Sequence, residues 1–438
     1  MGRRMITRPQ PERPAERFRR ATRASRQATE LDELGDVLAE SAVEVGFQPV
    51  VDIAGRRVVG YEALVRGPRG CSVEQPDRLF AAARAAGRLD ELDWLCQRLA
   101  LEGALRAGLR APQVLFVNVE PDTSEFMPLQ LRSLYARATS QMTVAVEVTE
   151  RALTERPAAL LGHVADIRAL GCAIALDDVG AEAGSIAMMA LLAPEVIKLD
   201  VGLFASTHTR DVAELVDAVA AQAEQSRATV LVERIETEAE AALAEALGGE
   251  LAQGWLYGRR EPLGGAAAGS GPTVVAQSSR LDPRDTTPWS IIARRPARPA
   301  RRAGPGLLLA LGRRLEERAS RAGRAAVLLA SVAREGALPD PVVNRYMALA
   351  ERLGYCALVG PDMPSEPAPG VCGARVHPHD PLWREWAIAV VSPHFAAAMS
   401  AHDLGRDQPA EQRFEFALTY DRELAVAAAS ALMARVTR

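Results

Sequence analysis

The chain has 438 residues, of which 48% are apolar and 25% charged, and its formal net charge is −4. At about 100–200 residues per domain, this length predicts two or three domains, each able to bury a core. The apolar fraction excludes a disordered chain, and the charge gives no reason to expect specific nucleic-acid binding. Lys198 is the single lysine among 52 basic residues.

Two further sequence features concern location. No stretch approaches about 20 uncharged apolar residues, so we expect no transmembrane segment. The five cysteines lie far apart and form no CxxC pair, which indicates a reducing compartment rather than a disulfide framework or a structural zinc site. The sequence therefore predicts a cytoplasmic protein.

The first structured region is predicted at residues 29–262, after a disordered arginine-rich arm at residues 1–28. Short apolar runs alternate there with Ala/Leu-rich helical stretches, which indicates an α/β fold with a largely parallel sheet. Eight strand candidates fit a TIM-like (β/α)₈ barrel, in which the closely linked first two runs are candidates for an antiparallel pair. The candidates are residues 47–53, 58–64, 114–119, 143–148, 173–178, 195–200, 229–234 and 251–255.

A linker and a second, smaller α/β domain are predicted to follow. Residues 263–306 contain the flexible sequence GGAAAGSGP and a stretch rich in arginine and proline, which are typical of a linker. Residues 307–438 again alternate helical stretches with apolar runs, such as CALVG, WAIAVV and FEFALTY. We expect this region to fold as a separate domain.

Polar residues stand at the ends of seven strand candidates. Functional groups of a parallel barrel gather at the carboxyl ends of its strands. A single acid at such a place is usually a helix cap or a salt bridge, but seven strand ends in register indicate a site. These residues are Glu62, Asn118, Glu147, the pair Asp177 and Asp178, Lys198, Glu233 and Gln253.

Five carboxylates in one barrel mouth would repel each other unless cations neutralised them. Oxygen ligands without histidine or cysteine favour Mg²⁺ or Mn²⁺ over zinc. Adjacent aspartates such as Asp177 and Asp178 could serve two ions, the standard arrangement for displacement at phosphorus. A lysine ending the sixth strand is also typical of a Schiff-base aldolase, but that chemistry needs a lowered pKa, and carboxylates around Lys198 would raise it.

Seven motifs, occurring in order, resemble those of the EAL phosphodiesterase family, which hydrolyses cyclic di-GMP to linear pGpG. They are YEALVRG (61–67), LFVNVEP, VAVEVTE, IALDDVG, VIKLD, VERIE and LAQGW. The resemblance covers roughly residues 30–262 and implies an EAL-type barrel with a two-metal site for Mg²⁺ or Mn²⁺. It also implies that the protein binds cyclic di-GMP and that it can form a homodimer.

The resemblance implies roles for individual residues. Glu233 would be the general base, and Lys198 would orient the attacking water. The first metal would be held by Glu62, Asn118, Glu147 and Asp177, and the second by Asp177, Asp178 and Glu233. Substrate contacts would come from Gln48, Leu64, Arg66, Glu236 and Gln253, and Glu150 would support a loop.

Two departures from the family pattern keep a second function open. VGAEAGS (179–185) replaces the loop that typically follows the aspartate pair. Arg234 stands where glycine is usual, so its side chain could crowd the site beside Glu233 or point outward. The alternative is a catalytically weak or inactive EAL domain that binds cyclic di-GMP and signals through its C-terminal domain. The segment FEFALTYDRELAVAAASALMARV resembles the tail of the DICT sensory domain, which implies a regulatory module with an unknown signalling partner.

Overall fold

The computed structural model describes most of the chain from residue 28 onward. The described residues are 28–120, 127–149, 157–180, 183–206, 209–264, 274, 286–293, 299–333, 336, 338–405 and 413–436. The predicted arginine-rich arm up to residue 27 and most of residues 265–285 lie outside this set.

Eight strands close into a barrel in sequence order. β1 runs antiparallel to both β2 and β8, and every other neighbouring pair is parallel. The predicted barrel and its antiparallel first pair are therefore confirmed. The strands are β1 (Glu44–Asp52), β2 (Val58–Arg66), β3 (Val114–Asn118), β4 (Thr143–Thr149), β5 (Ala173–Asp177), β6 (Val196–Asp200), β7 (Thr229–Glu233) and β8 (Leu251–Gln253).

Helices alternate with these strands along the chain. Their apolar residues pack with those of the strands in a large core cluster, as the alternating sequence predicts. They are α1 (28–40), α2 (Pro76–Ala85), α3 (Leu89–Arg106), α4 (Leu129–Thr139), α5 (Pro157–Ala169), α6 (Ala183–Leu192), α7 (Val201–Ser206), α8 (Thr209–Ser226) and α9 (Glu238–Ala246).

The barrel interior is a packed core rather than a channel. Phe116 is fully buried there with small and β-branched side chains from the other strands, among them Ala145, Ala175 and Val196. Layers of such side chains fill a parallel barrel of this size. This core supports the polar residues at the carboxyl ends of the strands.

The second domain contains a mixed seven-stranded sheet in the order β12-β11-β10-β13-β14-β15-β9. Strands β10, β11 and β12 are parallel, and the remaining pairs are antiparallel. Its strands are β9 (Arg301–Ala303), β10 (Val327–Ser331), β11 (Tyr355–Gly360), β12 (Cys372–Arg375), β13 (Glu385–Val391), β14 (Ala396–Asp403) and β15 (Phe414–Thr419). Its helices are α10 (Pro288–Ile292), α11 (Pro305–Ala322), α12 (Asp340–Ala350) and α13 (Arg422–Met433).

Two elements of this domain lie inside the stretch predicted as a linker. β9 pairs with β15, and α10 begins with a capping box between Thr287 and Ser290. The buried carboxylate of Glu385 accepts hydrogen bonds from the backbone N–H of Trp289 and from Ser400 Oγ, at 2.7 Å in the latter case. These contacts fasten α10 to the second sheet.

Within the described residues, no helix has the length and hydropathy needed to cross a membrane.

Candidate functional site

The carboxyl ends of the barrel strands bring the predicted polar residues together around Lys198. This side chain lies in the middle of β6, not at its end as predicted, and is only 1% exposed. Its Nζ lies 2.5 Å from Glu147 Oε1, 2.7 Å from Glu233 Oε1 and 3.2 Å from Asp177 Oδ1. Glu62 Oε2 follows at 3.9 Å. The single lysine of the chain is therefore the centre of the acidic cluster.

A second layer of hydrogen bonds orients Glu62. Gln253 Nε2 donates to Glu62 Oε2 at 2.6 Å, and Asn118 Nδ2 donates to Glu62 Oε1 at 3.1 Å. Gln253 Nε2 also reaches Gln48 Oε1 at 3.3 Å, while Gln48 Nε2 donates to the Gly258 carbonyl at 3.1 Å. The network links β1, β2, β3 and β8, so the position of Glu62 depends on four strands.

The electrostatics of the cluster favour bound cations. Burial raises the pKa of Glu233 to about 8, with Lys198 opposing the shift. Burial and the neighbouring Glu62 also raise the pKa of Glu147. Burial alone would lower the pKa of Lys198, but Glu147 and the other carboxylates raise it well above its ordinary value. One ammonium lies among four carboxylates, so their mutual repulsion adds to the effect of burial, and a bound divalent cation would relieve that repulsion.

The donor atoms also fit a divalent cation. Within the described part of the chain, the buried Glu147 Oε2 and Gln253 Oε1 have no hydrogen-bond partner. Such buried oxygens are costly unless a ligand satisfies them. No three His, Cys, Asp or Glu side chains among the described residues already converge as a metal site, and the carboxylates surround the ammonium instead.

The turn after β5 places the two aspartates differently. Asp177 faces Lys198, whereas Asp178 is exposed at the mouth and has a left-handed backbone with φ of 56°. The Asp178 N–H donates to Asp177 Oδ1 at 2.9 Å, which fixes the turn. Partial removal from water and the nearby Asp177 raise the pKa of Asp178.

Arg234 points away from the cluster. Its side chain is 70% exposed, and its guanidinium forms an ion pair with Asp200 Oδ2 at 2.8 Å. Its backbone is left-handed, with φ of 59°, a conformation that glycine adopts without strain. Of the two orientations that the sequence left open, the structure therefore shows the outward one.

A cavity of about 560 Å³ adjoins the mouth between β2, β3, α2 and α3. Three predicted substrate residues line it, namely Gln48, Leu64 and Arg66. It also contains cations and an aromatic ring that sequence reasoning missed: Arg84, Arg260 and Trp255. Trp255 lies two residues after the predicted site residue Gln253. This closeness in sequence could have indicated that Trp255 belongs to the site.

Two predicted residues lie outside this arrangement. Glu236 is exposed and is not among the residues that line the cavity. Its backbone N–H donates to Glu240 Oε2 in the loop that starts α9. Glu150, predicted to support a loop, lies outside the described residues.

Comparison with known proteins identifies the barrel. The sequence profile of the EAL domain matches residues 31–260, which is more than half of the chain. The chain belongs to the EAL domain family. The predicted family is thus confirmed for the EAL barrel, whereas the match does not extend to the second domain.

Curated relatives share this region at modest identity. The cyclic di-GMP phosphodiesterase NbdA of Pseudomonas aeruginosa is 28% identical over 249 residues, which cover 55% of this chain and 32% of NbdA. RocR of the same organism, also named a cyclic di-GMP phosphodiesterase, is 28% identical over 54% of this chain and 62% of RocR. This chain therefore spans less than two thirds of either relative.

Two solved structures are similar to part of this chain. The PaMucR phosphodiesterase in complex with c-di-GMP is 24% identical, with a TM-score of 0.47, covering 53% of this chain and 97% of that one. The manganese and cyclic di-GMP complex of BlrP1 from Klebsiella pneumoniae is 27% identical, with a TM-score of 0.43. It covers 50% of this chain and 56% of BlrP1.

Gly254 locks the end of β8 against the loop after β7. A Cβ on Gly254 would lie 2.0 Å from the Ile235 carbonyl oxygen and 2.3 Å from the Ile235 backbone nitrogen. The φ angle of Gly254 is 156°. We expect Gly254→Ala to lower the free energy of unfolding by about 2 kcal/mol and to displace Gln253. Urea unfolding measures the loss. Gly35→Ala, with open space at its Cβ, is the matched control and should not destabilise; equal losses would contradict the packing argument.

Asp93 on α3 gives a pH-dependent stability. Burial raises its pKa to about 8, although Gln97 Nε2 and the Glu120 N–H both donate to its carboxylate. The folded state therefore keeps a proton that the unfolded state loses near pH 4. Stability should fall as pH rises from about 4 to 8, by at most about 1.4 kcal/mol per pH unit from this group.

Asp93→Asn should flatten that dependence, because asparagine does not ionise. Urea unfolding at pH 5, 6.5 and 8 measures it, and Asp36→Asn on the exposed face of α1 should keep the wild-type slope. An unchanged slope in Asp93→Asn would show that Asp93 is already ionised in the folded protein.

Proposed function

We propose that the EAL barrel hydrolyses cyclic di-GMP to linear pGpG in a reaction that depends on Mg²⁺ or Mn²⁺. The observation that carries this proposal is the cluster at the mouth, where three carboxylates lie within 3.2 Å of the buried Lys198 ammonium. The adjoining cavity offers cations for phosphate groups, among them Arg66 and Arg260. The names of NbdA and RocR support the same activity.

Two metal sites are proposed from the same residues. Glu62, Asn118, Glu147 and Asp177 would hold one ion, and Asp177, Asp178 and Glu233 the other. The all-oxygen donor set and the unsatisfied Glu147 Oε2 support a hard divalent cation. Bound ions would supply positive charge to the phosphodiester and make a water molecule more acidic.

The chain's own groups would carry the proton transfer. Kept ionised by the bound cations, Glu233 would accept a proton from the attacking water, whose oxygen forms a bond to phosphorus as one ester P–O bond breaks. The leaving sugar oxygen would take a proton from solvent and become a hydroxyl of linear pGpG. Lys198, 2.7 Å from Glu233, would orient that water and offset phosphate charge. Gln48, Leu64, Arg66, Glu236 and Gln253 are the proposed substrate contacts, and Glu150 is proposed to brace its loop.

Product analysis tests the enzyme proposal. The purified chain, incubated with cyclic di-GMP and Mn²⁺ or Mg²⁺, should form pGpG, and excess EDTA should stop the reaction. Tight binding of cyclic di-GMP without pGpG under both metals would overturn it.

That outcome would support the second candidate function, a cyclic di-GMP receptor that signals through the C-terminal domain. The observation that favours it is that Glu147, Glu233 and Asp177 form ion pairs with the buried Lys198 ammonium. The divergent loop VGAEAGS, whose middle lies outside the described residues, supports the same alternative. We propose the second domain as a DICT-like regulatory module in either case.

Assembly and location are also proposals. A homodimer and an unknown signalling partner of the C-terminal domain are proposed, and no specific nucleic-acid binding is expected. The five cysteines are free thiols, which supports a cytoplasmic location.

Trp255 is the proposed stacking surface for a guanine base. Its side chain is 56% exposed, lines the cavity and carries the Arg259 guanidinium 4.2 Å from its ring centroid. Base stacking contributes about 1–3 kcal/mol, so Trp255→Ala should weaken cyclic di-GMP binding by about tenfold or more. Calorimetry measures this, with the exposed Tyr420→Ala as control. Equal affinities of the Trp255 variant and the wild type would exclude stacking.

A further inference from the structure

The C-terminal domain packs on α6, the helix that follows the turn Asp177–Gly180. This turn, which contains the proposed metal ligands Asp177 and Asp178, is called the metal-ligand turn. Helix α6 has the sequence AGSIAMMALL, which contains no charged residue, and Met188, Met189 and Leu192 are almost fully buried. It contacts α13, β11 and the 3₁₀ turn Gly323–Ala325 of the second domain. The apolar face of α6 is therefore covered by the chain itself, in a core that continues from the barrel into the second sheet.

The same domain also holds α8 through polar contacts. Gln225 Nε2 donates to the Pro393 carbonyl at 2.9 Å, and His394 Nε2 lies 2.8 Å from Asp217 Oδ2. Arg422 at the start of α13 donates to Gln222 Oε1 at 3.2 Å and to the Ser392 carbonyl at 2.7 Å. Because Arg422 is largely buried, its pKa is lowered, and its two acceptors offset part of the cost of burial.

Residues of the barrel hold the metal-ligand turn in place. The N–H of the buried Val179 donates to the Lys198 carbonyl at 3.2 Å. Gly180 has φ of 104°, and a Cβ there would lie 2.5 Å from Leu215 of α8. Leu215 lies two residues before Asp217 on α8. The turn therefore contacts the same helix that interacts with the C-terminal domain. On its other side the turn continues toward α6.

We propose that the C-terminal domain is a positioning partner for the Asp177–Gly180 turn, acting through α6 and α8. A displacement of α13 or of the Ser392–Phe395 loop would move Leu215 and α6, and with them Asp177, which faces Lys198. Because packed cores shift between discrete arrangements, such a displacement would change the geometry of the site. The consequence for catalysis rests on the proposed function, but the mechanical link does not.

Hydrogen exchange of the intact chain without ligand tests the link. Arg422→Ala removes one hydrogen bond to Gln222 of α8 and one to the Ser392 carbonyl of the C-terminal domain. It should speed exchange of the Val179 amide by about fivefold, which is the factor expected for the loss of one hydrogen bond of about 1 kcal/mol. The matched control is Arg413→Ala, which breaks an ion pair with Asp403 inside the C-terminal domain. Exchange in β3 should stay unchanged in both variants.

A second variant tests the path from the barrel side. Leu215→Ala removes the side chain that touches Gly180 and should reproduce the faster Val179 exchange without altering the C-terminal domain. Titration with Mn²⁺ alone should show weaker binding, by about threefold or more, in both variants but not in Arg413→Ala. Unchanged Val179 exchange and Mn²⁺ affinity in Arg422→Ala and Leu215→Ala would overturn the proposal. Loss of turnover alone would not, since neither measurement requires hydrolysis.

Discussion

Lys198→Arg should reduce the rate of pGpG formation by about 10²–10³-fold while the protein remains folded. The Nζ atom lies within 3.2 Å of three carboxylates in a site that is 1% exposed, so no space remains for a wider, planar guanidinium. Overpacking of this kind typically costs about 1–3 kcal/mol, which a domain of normal stability survives. Steady-state kinetics with cyclic di-GMP measures the loss.

The reverse exchange on an exposed helix is the control for this prediction. Arg106→Lys on α3 changes the same two residue types where the side chain is 69% exposed, and should leave turnover and melting temperature unchanged. A fully active Lys198→Arg protein would show that any cation serves, and the argument from the single lysine would then be wrong.

Glu233→Gln should abolish most turnover and leave cyclic di-GMP binding within about threefold of the wild type. The amide keeps the shape of the side chain but cannot accept the proton, and loss of a general base typically costs about 10²–10⁴-fold. Lys198 would also lose a charged partner at 2.7 Å, so calorimetric affinity must be measured beside the rate.

Glu245→Gln is the matched control for the general base. This carboxylate is exposed on α9, in the element that follows β7, and its neutralisation should change neither rate nor affinity. If Glu233→Gln kept wild-type turnover, Glu233 would not be the base, and another group of the cluster would have to accept the proton.

Most of the barrel could be predicted because its strands are short apolar runs between helical stretches. The alternation of side chains along a strand determines which residues face inward, and the right-handed βα units then bring strand ends such as Asp177 and Glu233 to one mouth. The antiparallel start followed from the short link between the first two runs. These features depend on local sequence and on general topology.

The cavity residues could not be predicted in the same way. Arg84 on α2 and Arg260 after β8 are far apart in sequence and meet only in the folded barrel. Arg234 could point inward or outward on sequence grounds, and its ion pair with Asp200 decides the direction. Such choices depend on tertiary contacts that local patterns do not contain.

The second sheet shows how propensity misleads. β14 has the sequence AAAMSAHD, which is rich in alanine and favours a helix when considered alone. It is nevertheless a central strand between β13 and β15, because its small side chains allow close packing under α13. The three-residue β9 is too short to leave any periodic signal.

The most direct test of the account measures pGpG formation across a Mn²⁺ and Mg²⁺ titration in the intact chain and in Glu62→Ala. Glu62 is one of the proposed metal ligands, and Gln253 and Asn118 orient it by hydrogen bonds. We expect saturable metal-dependent turnover in the wild type, and at least about 100-fold less in Glu62→Ala at every metal concentration. Equal rates in the two proteins, or pGpG formation that persists without divalent metal, would contradict the account.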